Sequence, residues 1–302
     1  MADLEGARVG VIGGSGLYSI PGLSHVEERA IPTPFGTPSD QLRLGELEGV
    51  ETVFLARHGR HHQLLPSEVP YRANIWAMRS LGVRWLISLS AVGSLQGHLH
   101  PRDMVVPDQF IDRTRQRPSS FFGNGCVAHV SLAEPFCPQL SALLADAAER
   151  GLPKGQKLHR GGTYLCMEGP AFSTQAESKL YRSWGCSVIG MTNHTEARLA
   201  REAELAYASL SMVTDFDCWH EDHDAVSVEM VISNLQANAS ATEPILSGLM
   251  QQLKQKPPAS TAHTALANAL ITPKDQVPAE TRSKLDLFTS PYWGSFDQSS
   301  IS

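Results

Sequence analysis

The sequence predicts an α/β fold, and three observations predict it. Short β-rich runs alternate with helical patterns along most of the chain. Several of those runs are apolar at consecutive positions, as a sheet covered on both faces requires. The links between them are short, which implies parallel pairing through right-handed crossovers.

Strands are expected, in order, at Val9–Ile12, Thr52–Ala56, Trp85–Ser90, Met104–Val106, Thr163–Met167, Cys186–Met191 and Tyr207–Val213. Pro70 should begin a helix that runs through Trp76 to Leu81 and stops at Gly82. Thr174 with Glu177 reads as a capping box; Ala176, Leu180, Tyr181 and Trp184 then form an apolar stripe, and Gly185 ends the helix. Asn193 with Glu196 reads as a second box, opening a helix to about Leu205. One α/β domain is expected over residues 1–253, followed at 254–302 by a linker-like stretch, "KQKPPASTAH", a short helical pattern and a loosely held polar tail.

Composition bounds the function. Of 302 residues, 42% are hydrophobic and 19% charged, and a formal charge of −6 argues against a general nucleic-acid or membrane-surface binder. Any bound anion must therefore meet a local positive site. Five widely spaced cysteines without a CxxC pair read as reduced thiols that mostly fill the core. Acids stand near the N-terminus where a signal peptide needs basic residues, and no run approaches the roughly 20 apolar residues of a membrane span, so a cytoplasmic location is expected.

Ligands of open α/β sheets bind outside the carboxyl ends of the strands. There the sequence places "GGSG" (Gly13 to Gly16), "RHGRHH" (Arg57 to His62), "SAVGS" (Ser90 to Ser94), "EGPAFS" (Glu168 to Ser173), "TNHTEA" (Thr192 to Ala197) and "TDFD" (Thr214 to Asp217). The first permits close backbone approach to an anion but lacks a P-loop lysine and complete dinucleotide spacing, and by itself fits a bare turn equally well. Arg57 offers a planar fork matched to phosphate, beside His58; a solvated basic loop is the plainer reading, and no Cys or acid stands at zinc-ligand spacing. Ser15, Ser90 and Thr192 add hydroxyls, and the helix starting at 193 adds backbone N–H groups. Each hydroxyl alone suits a turn or a cap, and their convergence is what suggests a phosphate pocket.

On an extended segment Asp215 and Asp217 point to one side, with Phe216 turned away into packing. Both carboxylates could then meet one polar ligand edge. Turn and cap acids, or a DxD metal site, remain alternatives here.

The ordered motifs "VIGGSGL", "GTPSD", "LARHGRHH", "YRANIWAM", "AVGSL", "DQFIDRT", "AEPFCP", "EGPAFSTQAES", "MTNHTEA" and "TDFDCW" resemble the purine nucleoside phosphorylase family, in its branch acting on methylthioadenosine. The match runs from Val9 to about Leu253. The resemblance implies a central mixed, partly closed β-sheet wrapped by helices, a homotrimer, and phosphorolysis of methylthioadenosine with inorganic phosphate as co-substrate and no metal or organic cofactor.

It also implies roles. Ser15, Arg57, His58, Ser90 and Thr192 correspond to the phosphate contacts. Ala91, Phe172 and Met191 line the nucleoside, and Asp215 and Asp217 recognise the base, with Asp215 the catalytic acid. Val228 and Val231 wall the methylthio pocket, and His129 is donated by the neighbouring subunit. Ser15 and Ser90 stand where relatives often carry threonine, and His194 and Thr195 where many carry an apolar residue and proline. A 6-oxopurine nucleoside or methylthioinosine phosphorylase, and a non-catalytic nucleoside-binding protein, are the alternatives. The acids at both 215 and 217 speak against the first, because a 6-oxo group offers no donor to a carboxylate.

Overall fold

The computed structural model describes residues 6–220 and 228–296, with side chains of the long helix after 228 described from residue 233. Eleven strands form one sheet: β1 (Arg8–Gly13), β2 (Ser24–Arg29), β3 (Leu42–Leu47), β4 (Val50–Ala56), β5 (Val83–Ser94), β6 (Met104–Val106), β7 (Gln109–Arg113), β8 (Leu158–Arg160), β9 (Thr163–Met167), β10 (Val188–Gly190) and β11 (Ala206–Asp215). Among the described residues six α-helices surround it: α1 (Tyr71–Ser80), α2 (Pro138–Gly151), α3 (Gln175–Ser183), α4 (Asn193–Glu202), α5 (Val228–Gln255) and α6 (Ala279–Trp293).

The sheet is mixed. The central pairs β1–β4, β1–β5 and β5–β11 are parallel, while β3–β4, β5–β10 and β6–β11 are antiparallel. It divides at β5, one arm continuing through β10, β9 and β7 and the other through β11, β6 and β8, so the sheet curls on itself. Strand alternation feeds two cores. Val9, Val11 and Phe54 face α2 and α5 through Leu140, Leu144, Ile245 and Leu249, whereas Ile12, Val53 and Leu55 face the opposite layer of Ile75, Met78 and Leu199.

The helix ends divide into expected and unexpected. Thr174 accepts from the Glu177 N–H and Glu177 reaches back, a formed capping box. The expected second box does not form. Asn193 and Glu196 are buried and turned inward, Thr192 occupies the cap position without a side-chain cap bond, and the helix stops at Glu202. Glu196 is taken by a buried guanidinium described below, a stronger claim on a carboxylate than a backbone N–H.

Beyond Leu253 the chain returns to the second core. Leu266, Ala269, Leu285 and Phe288 share that cluster with residues of α1 and α4. Pro258 O accepts from Trp85 Nε1 at 3.0 Å, and the buried Glu204 carboxylate accepts from Leu266 N–H at 3.0 Å and from the Tyr292 hydroxyl. All five cysteines are unpaired, and four are buried. No helix among the described residues is long and apolar enough to cross a membrane.

Candidate active site

The site opens where β5 changes partners. On one side β5 pairs with β1 only as far as Leu89, opposite Gly13, and takes up β10 only at Gly93. Ser90, Ala91 and Val92 stay paired on the other side, with Ser211, Met212 and Val213 of β11. The gap is a topological switch point, and a cavity of about 310 Å³ lies over it. Such a volume suits a small-molecule ligand. The sequence places Ser90 at the end of a strand and Ala91 just after it; both lie inside a longer strand, whose edge toward β1 and β10 is unpaired there.

All six strand-end segments reach this cavity. Gly14, Ser15, Arg57, His58, Ser90, Ala91, Phe172, Met191, Thr192, Asp215 and Asp217 line it, together with His62, Leu64, Leu65, Gly93, Met167 and Leu235. Phe172 sits at the rim, 51% exposed. His129 is exposed and does not line the cavity; its backbone N–H donates to Ala269 O at 2.8 Å. The side chains of Val228 and Val231 lie outside the described residues.

Arg57 is buried, and its fork does not face the cavity freely. Nε and Nη2 both donate to Glu196, Nη2 also to Ser88 Oγ at 2.7 Å, and Nη1 to Leu89 O at 3.1 Å. Glu196 Oε2 in turn accepts from Ser88 Oγ at 2.8 Å and from the Tyr207 hydroxyl at 2.9 Å. Burial pulls the guanidinium pKa down, but the facing carboxylate more than offsets it and holds Arg57 protonated. One Nη1 proton is left for a ligand. Gly14 must be glycine for this packing, since a Cβ there would stand 2.7 Å from Nη1 and 2.8 Å from Leu89 O.

The two histidines here are neutral. Burial, then the nearby Arg57 charge, lowers the His58 pKa to about 4, and burial lowers that of His62, whose ring stacks on His58 at 4.5 Å. His58 Nδ1 must donate to Leu64 O at 2.8 Å, because a carbonyl only accepts, so Nε2 is an acceptor. With Arg57 neutralised by Glu196, no described lining residue carries an uncompensated positive charge. The local positive site expected from composition is thus replaced by hydroxyls, the remaining Nη1 proton and the N-terminus of α4, where backbone N–H groups and the helix dipole attract anions.

The acids reach the cavity by a route other than extended alternation. β11 ends at Asp215; Asp217 then turns into left-handed backbone (φ 50°) and its N–H donates to Asp215 Oδ1 at 2.8 Å. Thr214 Oγ1 donates to Asp215 Oδ2 at 2.7 Å. Phe216 is buried away from the cavity, as expected, against His100 and Trp219. Burial raises both carboxyl pKa values above the ordinary range, and for Asp215 the neighbouring Asp217 charge adds to the rise. Burial thus makes both carboxyl groups easier to protonate than an exposed aspartate, while the Thr214 hydroxyl and Asp217 N–H bonds to Asp215 pull the other way. Gly93 leaves room for the pair, since a Cβ there would come within 2.9 Å of Asp215 Oδ1.

Two residues to which the sequence assigns no role in the site help to organise it: Glu196, read there only as a capping partner, and Arg117. Glu196 was hidden by a spacing indistinguishable from a capping box. The available signal was Arg57 itself, since a guanidinium following an apolar strand needs a buried carboxylate. Among the described residues no three His, Cys, Asp or Glu side chains cluster so as to hold a metal ion.

The chain has clear relatives among known proteins. A model of the phosphorylase superfamily matches residues 8–251. S-methyl-5'-thioadenosine phosphorylase of Prochlorococcus marinus is 63% identical over 98% of this chain and 94% of its own, and that of Geobacter sulfurreducens 53% identical over 94% and 98%. A methylthioadenosine phosphorylase structure from an Antarctic soil metagenomic library superposes with a TM-score of 0.89 at 51% identity, covering 93% of this chain and 98% of the other. The Schistosoma mansoni methylthioadenosine phosphorylase in complex with adenine gives a TM-score of 0.79 at 37% identity, covering 83% of this chain and 93% of the other. The chain belongs to the phosphorylase superfamily and, within it, to the S-methyl-5'-thioadenosine phosphorylase family.

Proposed function

We propose that this cavity catalyses phosphorolysis of S-methyl-5'-thioadenosine, giving adenine and S-methyl-5-thioribose 1-phosphate, a step of purine and methionine salvage. The observation that carries the reading is one cavity lined both by anion-type donors and by two adjacent buried acids, Asp215 and Asp217. Ser15, Ser90, Thr192, the free Nη1 proton of Arg57 and the α4 N-terminus hold phosphate. His58 Nε2 accepts from the hydroxyl of hydrogen phosphate. Ala91, Phe172 and Met191 flank the nucleoside.

A phosphate oxygen attacks the anomeric carbon as the bond to N9 breaks, and the electron pair of that bond passes into the purine. Asp215, protonated in the bound complex, gives its proton to N7 so that adenine leaves neutral. Asp217 accepts from the exocyclic amine, which distinguishes adenine from a 6-oxopurine. Positioning of the two reactants is worth up to about 7–11 kcal/mol in well-aligned cases, and the phosphate charge stabilises the cation-like sugar. The reaction takes phosphate as co-substrate and calls on no metal or organic cofactor.

Val228 and Val231, with Leu235 farther along α5, are assigned to the methylthio end. A cytoplasmic homotrimer, in which a neighbour supplies His129 and to which nucleic acid and membrane are not partners, completes the reading. Release of adenine from methylthioadenosine, followed by ultraviolet absorbance with and without phosphate, tests it. Release without phosphate, or faster cleavage of methylthioinosine, refutes it.

A further inference from the structure

Arg117 lies in a segment that contributes no lining residue to the cavity, yet its side chain is only 1% exposed and joins two of the cavity's walls. Nη1 donates to Met191 O and, at 3.2 Å, to the Tyr71 hydroxyl. Nη2 donates to Glu168 O at 2.6 Å and, more weakly, to Met167 O at 3.4 Å, while Nε donates to Glu168 Oε1 at 3.0 Å. The Tyr71 ring lies 5.5 Å from the guanidinium carbon. Met167 and Met191 both line the cavity, and Glu168 opens the loop that carries Pro170 and Phe172 to its rim.

We propose that Arg117 is a positioning residue that sets the distance between the Met167–Phe172 wall and the Met191 wall, and so controls affinity for the purine and ribose but not for phosphate. The inference rests on the nucleoside phosphorylase reading of the cavity. Only a planar guanidinium can serve two loop backbones and a carboxylate at once from fixed directions; a lysine ammonium offers one nitrogen with three donors. The phosphate end has separate anchors. Thr192 opens α4, and that turn is held by Asn193 Nδ2 on Ser209 Oγ at 2.8 Å and by Glu196 on Arg57, Ser88 and Tyr207. Removing Arg117 leaves these bonds in place.

The test uses the full-length enzyme, Arg117→Lys, and Glu168→Gln, which keeps the Arg117 bonds to the carbonyls but removes the carboxylate. KM for methylthioadenosine is measured at saturating phosphate, KM for phosphate at saturating nucleoside, and adenine binding by calorimetry without phosphate. Arg117→Lys should raise the nucleoside KM and the adenine Kd about tenfold or more, with phosphate KM within about twofold. Glu168→Gln should move the same two constants in the same direction by about threefold. A parallel rise in phosphate KM, or a lower unfolding temperature with both KM values unchanged, overturns the proposal. If Arg117→Lys does not fold, Glu168→Gln decides alone, and unchanged adenine binding in it counts against the role. Because adenine binding needs no turnover, failure of the phosphorolysis reading would appear separately, as an inactive wild-type enzyme.

Discussion

Replacing Glu196 with glutamine should both destabilise the protein and make its stability depend on phosphate. Arg57 and Glu196 are 1% and 2% exposed, so the substitution leaves a guanidinium buried without its counter-ion. Breaking a buried pair by removing one partner costs about 3–5 kcal/mol. Gln retains one acceptor oxygen but sets an amide N–H against a donor of Arg57, Ser88 or Tyr207, all of which the two carboxylate oxygens now satisfy. At roughly 2 °C per kcal/mol for a chain of this size, Tm should fall by about 6–10 °C. Phosphate would then be the only anion facing Arg57, so it should raise the variant's Tm more than the wild type's. Calorimetric scans with and without phosphate read both effects. A Tm within about 2 °C of wild type would refute the buried-pair argument, and an equal phosphate-induced rise in both proteins would refute the placement of Arg57 at the phosphate.

Asp215→Asn should lower kcat by about 10²–10⁴-fold while leaving phosphate binding nearly unchanged, as measured by phosphate titration; equal losses in both would deny it the proton-donor role. Asp217→Asn should shift the ratio of kcat/KM for methylthioadenosine over methylthioinosine by about tenfold or more toward the 6-oxopurine, and an unchanged ratio would remove Asp217 from amine recognition. Acid should unfold the protein through its buried and half-buried histidines. His58, His194 and His263 are each lowered to about 4, chiefly by burial, so between about pH 6.5 and 4 the unfolded chain binds protons that the folded one does not. Their contribution is whole above pH 6.5 and is lost as pH falls through that window. A thermal midpoint independent of pH from 6.5 to 4 would contradict this.

The central strands were legible in the sequence because burial on both faces demands consecutive apolar residues, as in Val9–Ile12 and Tyr207–Val213. Ser24–Arg29 was not legible, since it is exposed along its whole length and carries no apolar signal. The helix Pro138–Gly151 did carry one, in Leu140, Leu144 and Ala148, but was not singled out. Thr174 with Glu177 could be read as a cap because both partners are local. Asn193 with Glu196 shows the same spacing and forms no cap, because Glu196 answers to a residue 139 positions away.

By itself, then, the sequence determined the alternation of elements and which functional groups stand at the strand ends. These properties follow from local periodicity and turn chemistry. Only the tertiary structure decided that Ser90 and Ala91 lie at the edge where β5 changes partners, that a turn at Asp217 brings the two acids together, that Arg57 is neutralised by Glu196, and that Arg117 joins two walls of the cavity. The physical reason is common to all four. Burying a charge or opening a sheet edge is settled by which distant group arrives to compensate it, and neighbouring residues carry no record of that arrival.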